Sequence, residues 1–124
     1  MGKDKRFNRK KANQKLLDRT LKFAEDVLVL AQDLPKNIIN NRLVLQLMDA
    51  GTSVGANYRE ACEAESSKDF VHKIKISKKE ARESKYWLKL LLKTNLDFRN
   101  RIVPLKEEAG ELVKIFASIV SKFK

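Results

Sequence analysis

Four times along this chain, apolar or small residues recur at intervals that alternate between four and three, a rhythm that few folds satisfy. The first run is Leu16, Thr20, Phe23, Val27, Leu30 and Leu34, and the second is Leu43, Leu47, Ala50, Val54, Asn57 and Ala61. The third is Phe70, Ile74, Ser77, Ala81, Ser84, Leu88 and Leu91, and the fourth Leu105, Ala109, Leu112, Phe116, Ile119 and Phe123. A mean period of about 3.5 lays each run along one stripe of an α-helix, and helices that keep it pack at shallow angles. Nothing reads as a strand. The expectation is all-α: an antiparallel, up-down-up-down, left-handed four-helix bundle.

Punctuation between the runs agrees. Pro35 ends the first helix, because the residue before proline is pushed out of the α region, and Asn37, Asn40 and Asn41 offer N-caps for the second. Ser66 followed by Asp69 resembles a capping box at the start of the third. Residues 95–103 break the periodicity and are expected to form the longest connection. Pro104 would then sit in the first turn of the last helix, with Glu107 and Glu108 near its positive end and Lys122 and Lys124 near its negative end. With 124 residues there is material for one core. Residues 1–15 read as a basic arm and 16–124 as the bundle domain.

The second helix carries an unusual stretch, Ala50 to Cys62, with Gly51 and Gly55 in its interior. Each interior glycine costs roughly 1 kcal/mol of helix stability relative to alanine, so close approach of a neighbouring helix must compensate. Beside the main stripe runs another: Val44, Met48, Gly51, Gly55, Tyr58 and Cys62. This double-width face suits either a corner of a monomeric bundle or a subunit interface. Gly51, Gly55, Tyr58 and Trp87 are accordingly candidates for helix packing or subunit contact.

Charge is uneven. The chain has 27 Lys and Arg against 16 Asp and Glu, a net +11, which points to a polyanionic partner. The arm holds Lys3, Lys5, Arg6, Arg9, Lys10, Lys11 and Lys15 against Asp4 alone. One flank of the third helix reads Lys75, Lys78, Arg82, Lys85, Lys89 and Lys93, while the other reads Ile76, Glu80, Glu83, Trp87 and Leu90. Such cations favour phosphate contacts with strong salt dependence and little base specificity. Asn57, on the main stripe, together with Arg59, Glu60, Glu80 and Glu83, is expected to form a partly buried polar network that fixes helix register.

Several chemistries find no support. The only histidine, His72, does not form a Glu-x-x-His motif, so a carboxylate-bridged metal site is not expected. Gly51 to Gly55 lacks the ending of a phosphate-binding loop and lies mid-helix. Cys62 is the only cysteine, which excludes an intrachain disulfide and fits a reducing compartment; at the end of a small-residue stripe it reads as a structural thiol. No apolar run approaches the roughly 20 residues that cross a bilayer. The reading is a cytoplasmic protein without catalytic residues, cofactor, metal or membrane partner.

The ordered set Leu-Met-Asp-Ala-Gly-Thr-Ser-Val-Gly-Ala-Asn-Tyr-Arg-Glu-Ala (47–61), Ser67-Lys68-Asp69-Phe70, Lys78-Lys79-Glu80-Ala81 and Tyr86-Trp87-Leu88 resembles the bacterial four-helix-bundle family encoded in intervening sequences of 23S ribosomal RNA genes. Where relatives continue Asn-x-x-Glu with glycine, this chain has Ala61 and Cys62. The resemblance implies a barrel-like homo-oligomer, typically a pentamer. It also implies kinship with the accessory proteins of diversity-generating retroelements, which bind a reverse transcriptase and nucleic acid. Arm, stripe and resemblance together lead to a non-enzymatic, RNA-associated protein whose contacts are Lys5, Arg6, Arg9, Lys10, Lys11, Lys75, Lys78, Arg82, Lys85, Lys89 and Lys93. The alternative is an interaction scaffold that docks a reverse transcriptase.

Overall fold

The computed structural model describes residues 2–123, with side chains from Asn13 onward. Four helices follow one another: α1 (Gly2–Asp33), α2 (Ile38–Cys62), α3 (Ser67–Thr94) and α4 (Arg99–Ser121). Residues 34–37, 63–66 and 95–98 connect them, the last including a single 3-10 turn, Leu96–Phe98. Connections this short force antiparallel neighbours. Contacts agree: Thr20 faces Gly55 and Val27 faces Gly51 across α1 and α2, and Ser77 bonds Val54 across α3 and α2. Arg19 meets Glu108, and Arg101 meets Asp33, across α1 and α4. No strand occurs among the described residues.

The periodic runs become the core. Phe23, Val27, Leu30, Leu47, Val54, Ile74, Leu88, Leu91, Leu112 and Phe116 are each at most 1% exposed. Side-chain oxygens cap the starts of α2 and α3, with the Asn40 amide bonding Asn37 Oδ1 at 2.8 Å and the Asp69 amide bonding Ser66 Oγ at 3.1 Å. These acceptors satisfy amides that a bare helix end leaves unpaired.

The last helix departs from the expectation. It starts at Arg99 rather than near Pro104, and the run 95–103 is no long connection, because Ile102 is fully buried and extends the apolar stripe one turn back. Pro104 lies in the second turn, where its ring removes a single bond to the Asn100 carbonyl, a small loss beside the burial of Ile102 and Leu105. Glu107 and Glu108 consequently sit beyond the first turn, and Glu108 pairs with Arg19. At the other end the stripe shifts from Ile119 and Phe123 to Val120, leaving Phe123 49% exposed. Lys122 is the C-cap, and Lys124 lies outside the described residues.

Both stripes of α2 are used within the chain. A Cβ on Gly51 would stand 3.0 Å from Val27 Cγ1, and one on Gly55 would stand 3.1 Å from Thr20 Oγ1, so α1 packs against bare backbone there. Thr20 fits this contact because its hydroxyl donates to the Leu16 carbonyl of its own helix at 2.9 Å. Tyr58 completes the stripe, 2% exposed and tilted against Phe116 at 6.0 Å. At the far end, Asn40 and Asn95 exchange side-chain hydrogen bonds of 2.9 Å in each direction, joining the first turn of α2 to the end of α3.

Candidate nucleic-acid interface

The register of α3 decides which of its flanks faces where. Ser77, Ala81 and Ser84 are small and fully buried, which lets α3 lie close to α2, and the Ser77 hydroxyl donates to the Val54 carbonyl at 2.9 Å. With that stripe turned inward, the flank one residue further along the chain falls on the α4 side. It carries Lys75, Lys78, Arg82, Lys85, Lys89 and Lys93, of which only Lys78 is half-buried and the rest exposed. Lys85 crosses onto α4: its Cδ, Cε and Nζ lie 3.5–3.9 Å from where a Cβ on Gly110 would stand.

The equivalent flank of α4 comprises Val103, Lys106, Gly110, Val113 and Ala117, so Lys106 joins the same face. It was missed in the sequence because its membership depends on the pairing of two helices. Its signal is a position one residue beyond the buried Leu105. Ion pairs elsewhere engage Arg19, Lys22, Lys73, Arg101 and Lys114. Among the described residues, the seven cations of the α3–α4 face enter none of these pairs. Cations left without an ion-pair partner are suited to hold phosphate oxygens. Of the arm residues expected to add contacts, Lys5, Arg6, Arg9, Lys10 and Lys11 have side chains outside the described residues, although the backbone of α1 begins at Gly2.

The opposite flank of α3 faces α2 and is acidic. Burial, reinforced by Glu83 and Asp49, raises the Glu80 carboxyl above its ordinary value, with Lys79 opposing. Glu60 pairs with Lys73 at 3.5 Å. The register network expected of Asn57, Arg59, Glu60, Glu80 and Glu83 is therefore not a connected unit among the described residues. Asn57 donates to the Ser53 carbonyl of its own helix at 2.9 Å and bridges to no other helix, since a four-residue step back along α2 satisfies its amide locally. Besides the ion pairs, the side-chain bonds that cross between helices are those of Ser77, of the Asn40–Asn95 pair and of Tyr58, whose hydroxyl donates to Asn13 Oδ1 on α1 at 3.2 Å. Trp87 is half-buried on this flank, edge-on to Tyr86 at 5.0 Å.

Nothing at Cys62 resembles an activated thiol. Burial pushes it up, a Tyr58 hydrogen bond opposes and Glu63 adds to the rise, whereas a nucleophile needs the thiolate. Among the described residues no group of three or more His, Cys, Asp or Glu is arranged to hold a metal ion, and no helix is long and apolar enough to cross a membrane.

The family described as 23S rRNA-intervening sequence protein matches residues 12–118. Among solved structures, a protein of unknown function from the S23 ribosomal protein family of Bacteroides thetaiotaomicron is 33% identical, with a TM-score of 0.74, over 84% of this chain and 96% of that one. Comparison with curated proteins gives no match. Since the family match runs from α1 through α2 and α3 into α4, and the Bacteroides structure shares both fold and a third of the aligned residues, the chain belongs to the 23S rRNA-intervening sequence protein family.

Proposed function

We propose that this protein is a non-enzymatic, cytoplasmic RNA-binding protein that holds structured RNA by its phosphates on the α3–α4 face, aided by the basic arm. The carrying observation is the face itself: Lys75, Lys78, Arg82, Lys85, Lys89, Lys93 and Lys106, without an ion-pair partner among the described residues. The family's link to intervening sequences of ribosomal RNA supports RNA as the polyanion. A homo-oligomer, as a pentameric barrel, would repeat the face around a ring. In support of assembly, α1 carries Leu17, Leu21, Ala24 and Leu28 on the flank turned away from α4, with Leu21 55% and Leu28 41% exposed. Seven phosphate contacts imply a loss of roughly 10³-fold or more in affinity between 50 and 200 mM salt. Titration of a structured ribosomal RNA fragment tests this, alongside a Lys78→Glu/Arg82→Glu/Lys85→Glu variant expected to lose binding. Salt-insensitive binding, or none, would remove the proposal. Sedimentation of wild type against Leu21→Glu/Leu28→Glu tests assembly.

A second reading, a scaffold that docks a reverse transcriptase, draws on the end of the bundle where Ile38 is 77% and Leu96 61% exposed. A complex with that enzyme that survives nuclease treatment and fails in an Ile38→Glu/Leu96→Glu variant would favour it.

A further inference from the structure

At the end of the bundle where α3 begins and α2 and α4 finish, beside residues 13–19 of α1, lies a cavity of about 960 Å³. Sites for small organic groups span roughly 300–1,000 Å³. Its apolar wall is built from Leu16, Ala61, Phe70, Ile115 and Ile119, with the exposed ring of Phe123 at the mouth. Phe70 and Phe123 are tilted by 42° at a centroid distance of 5.4 Å. Around the rim stand Lys15 and Lys122, with Arg19 held by Glu108, and Glu65 as the acidic member of the lining. Asn13 and Ser67 add neutral polar groups.

This cavity is joined to the basic face. A shallower groove of about 430 Å³ is lined by Lys68, Val71, His72 and Lys75, and shares Ser67 and Phe123 with the large cavity. Lys75 is the first cation of the α3 stripe, so a backbone track of phosphates along α3 leads past Phe123 to the cavity mouth. On the opposite rim stand Asn13 and Lys15, at the end of the basic arm.

We infer that the end cavity receives an unpaired nucleobase from RNA bound on the α3–α4 face, stacking it against Phe70 and Phe123 while Lys15 and Lys122 hold the flanking phosphates. The inference rests on the RNA-binding reading above and refines it from duplex phosphates to a looped or bulged strand. A base has an apolar π-face and a polar edge, which matches an aromatic wall with Asn13 and Ser67 at its border. Base–aromatic stacking tolerates any sequence, in keeping with contacts that otherwise touch only phosphates.

The test uses the full chain and two RNAs of equal phosphate number: a stem–loop with 2-aminopurine in the loop, and a fully paired duplex. The wild type should bind the stem–loop about fivefold to a hundredfold more tightly, as expected for one stacked base, with a change in 2-aminopurine emission. Phe123→Ala removes an exposed ring and leaves the core intact; Ala64→Trp fills the cavity mouth from the α2–α3 connection. Both should abolish the preference and the emission change while leaving duplex binding intact. Equal binding of the two RNAs by wild type, or a preference that survives both variants, would overturn the base-binding cavity yet leave the phosphate face standing. Failure of the wild type to bind either RNA would defeat the RNA-binding reading and the cavity with it.

Discussion

Replacing Gly51 with alanine should destabilise the protein, against the usual sign for this substitution in a helix. Alanine gains about 1 kcal/mol in intrinsic helix preference. Here, however, the new methyl would lie 3.0, 3.2 and 3.3 Å from Cγ1, Cγ2 and Cβ of Val27, inside the roughly 3.5–4.0 Å of favourable carbon contact. Val27 is fully buried and, as a β-branched residue in a helix, has one strongly preferred rotamer, so relief requires moving α1. Overpacking of this kind costs about 1–3 kcal/mol, which leaves a net loss of about 1 kcal/mol, or a few degrees in Tm for a chain of this size. Gly110→Ala is the internal control. Its methyl would meet only the flexible end of Lys85 at 3.5–3.9 Å, so the same chemical change should stabilise by up to about 1 kcal/mol. Denaturant melts of both variants, and of Gly51→Ala with Val27→Ala, give the answer. The double variant should show a favourable coupling of about 1 kcal/mol. If Gly51→Ala raises stability as much as Gly110→Ala does, the close α1–α2 contact is wrong.

Three further outcomes are expected. Because the folded-state pKa of Glu80 is raised, the native state binds this proton more tightly than the unfolded chain; stability from this group should rise as pH falls through the raised pKa and level off below the ordinary carboxylate value. Glu80→Gln should accordingly melt higher than wild type at pH 7 and show no advantage once Glu80 is protonated, and a gain that persists in acid would refute the assignment. Removing one amide of the Asn40–Asn95 pair leaves the side-chain carbonyl of the other buried without a donor, although its NH2 keeps Pro35 or Leu91 as acceptor, costing roughly 1–3 kcal/mol, while Asn40→Leu/Asn95→Leu should cost less than the sum of the single changes in urea melts. Lys106→Ala should lower the salt slope of RNA binding by about 0.7–0.9, whereas Lys22→Ala, whose ammonium is engaged by Asp26 at 3.2 Å, should leave it unchanged.

The helices and most of their buried residues were readable in the sequence because side-chain periodicity is a local property, visible without knowing any neighbour. Partnership is not local. Gly51 and Gly55 announced a close contact, but only the packing assigns it to Val27 and Thr20 of the same chain. Asn57 at a stripe position looks the same in sequence whether it bridges two helices or bonds Ser53 behind it, and the local bond won. Pro104 was misplaced because a preference for the first helical turn is weaker than the burial of Ile102. Lys106 and the end cavity depend on two and four helices respectively, so no single stretch of residues could have displayed them.

What ties packing to the proposed function is the orientation of α3 about its own axis. The helix carries basic residues on one flank of its buried stripe and acidic residues on the other, so a rotation by a single residue position, about 100°, would turn charge inward and break up the continuous face. Two features oppose that rotation. The Ser77 hydroxyl bonds a carbonyl on α2 at the middle of α3, and Asn95 bonds Asn40 just past its end. Small residues at Ser77, Ala81 and Ser84 permit the first bond by letting the backbones approach, and replacing any of them with a larger residue would push that flank outward. Neither anchor touches the α3–α4 surface, yet both determine whether Lys75 to Lys93 lines up beside Lys106 and Gly110. The consequence for RNA is specific: Ser77→Val should weaken binding and lower the salt slope although every cation is retained. A charge-only account predicts no change in slope, so unchanged binding by a folded Ser77→Val variant would count against register as the determinant of this surface.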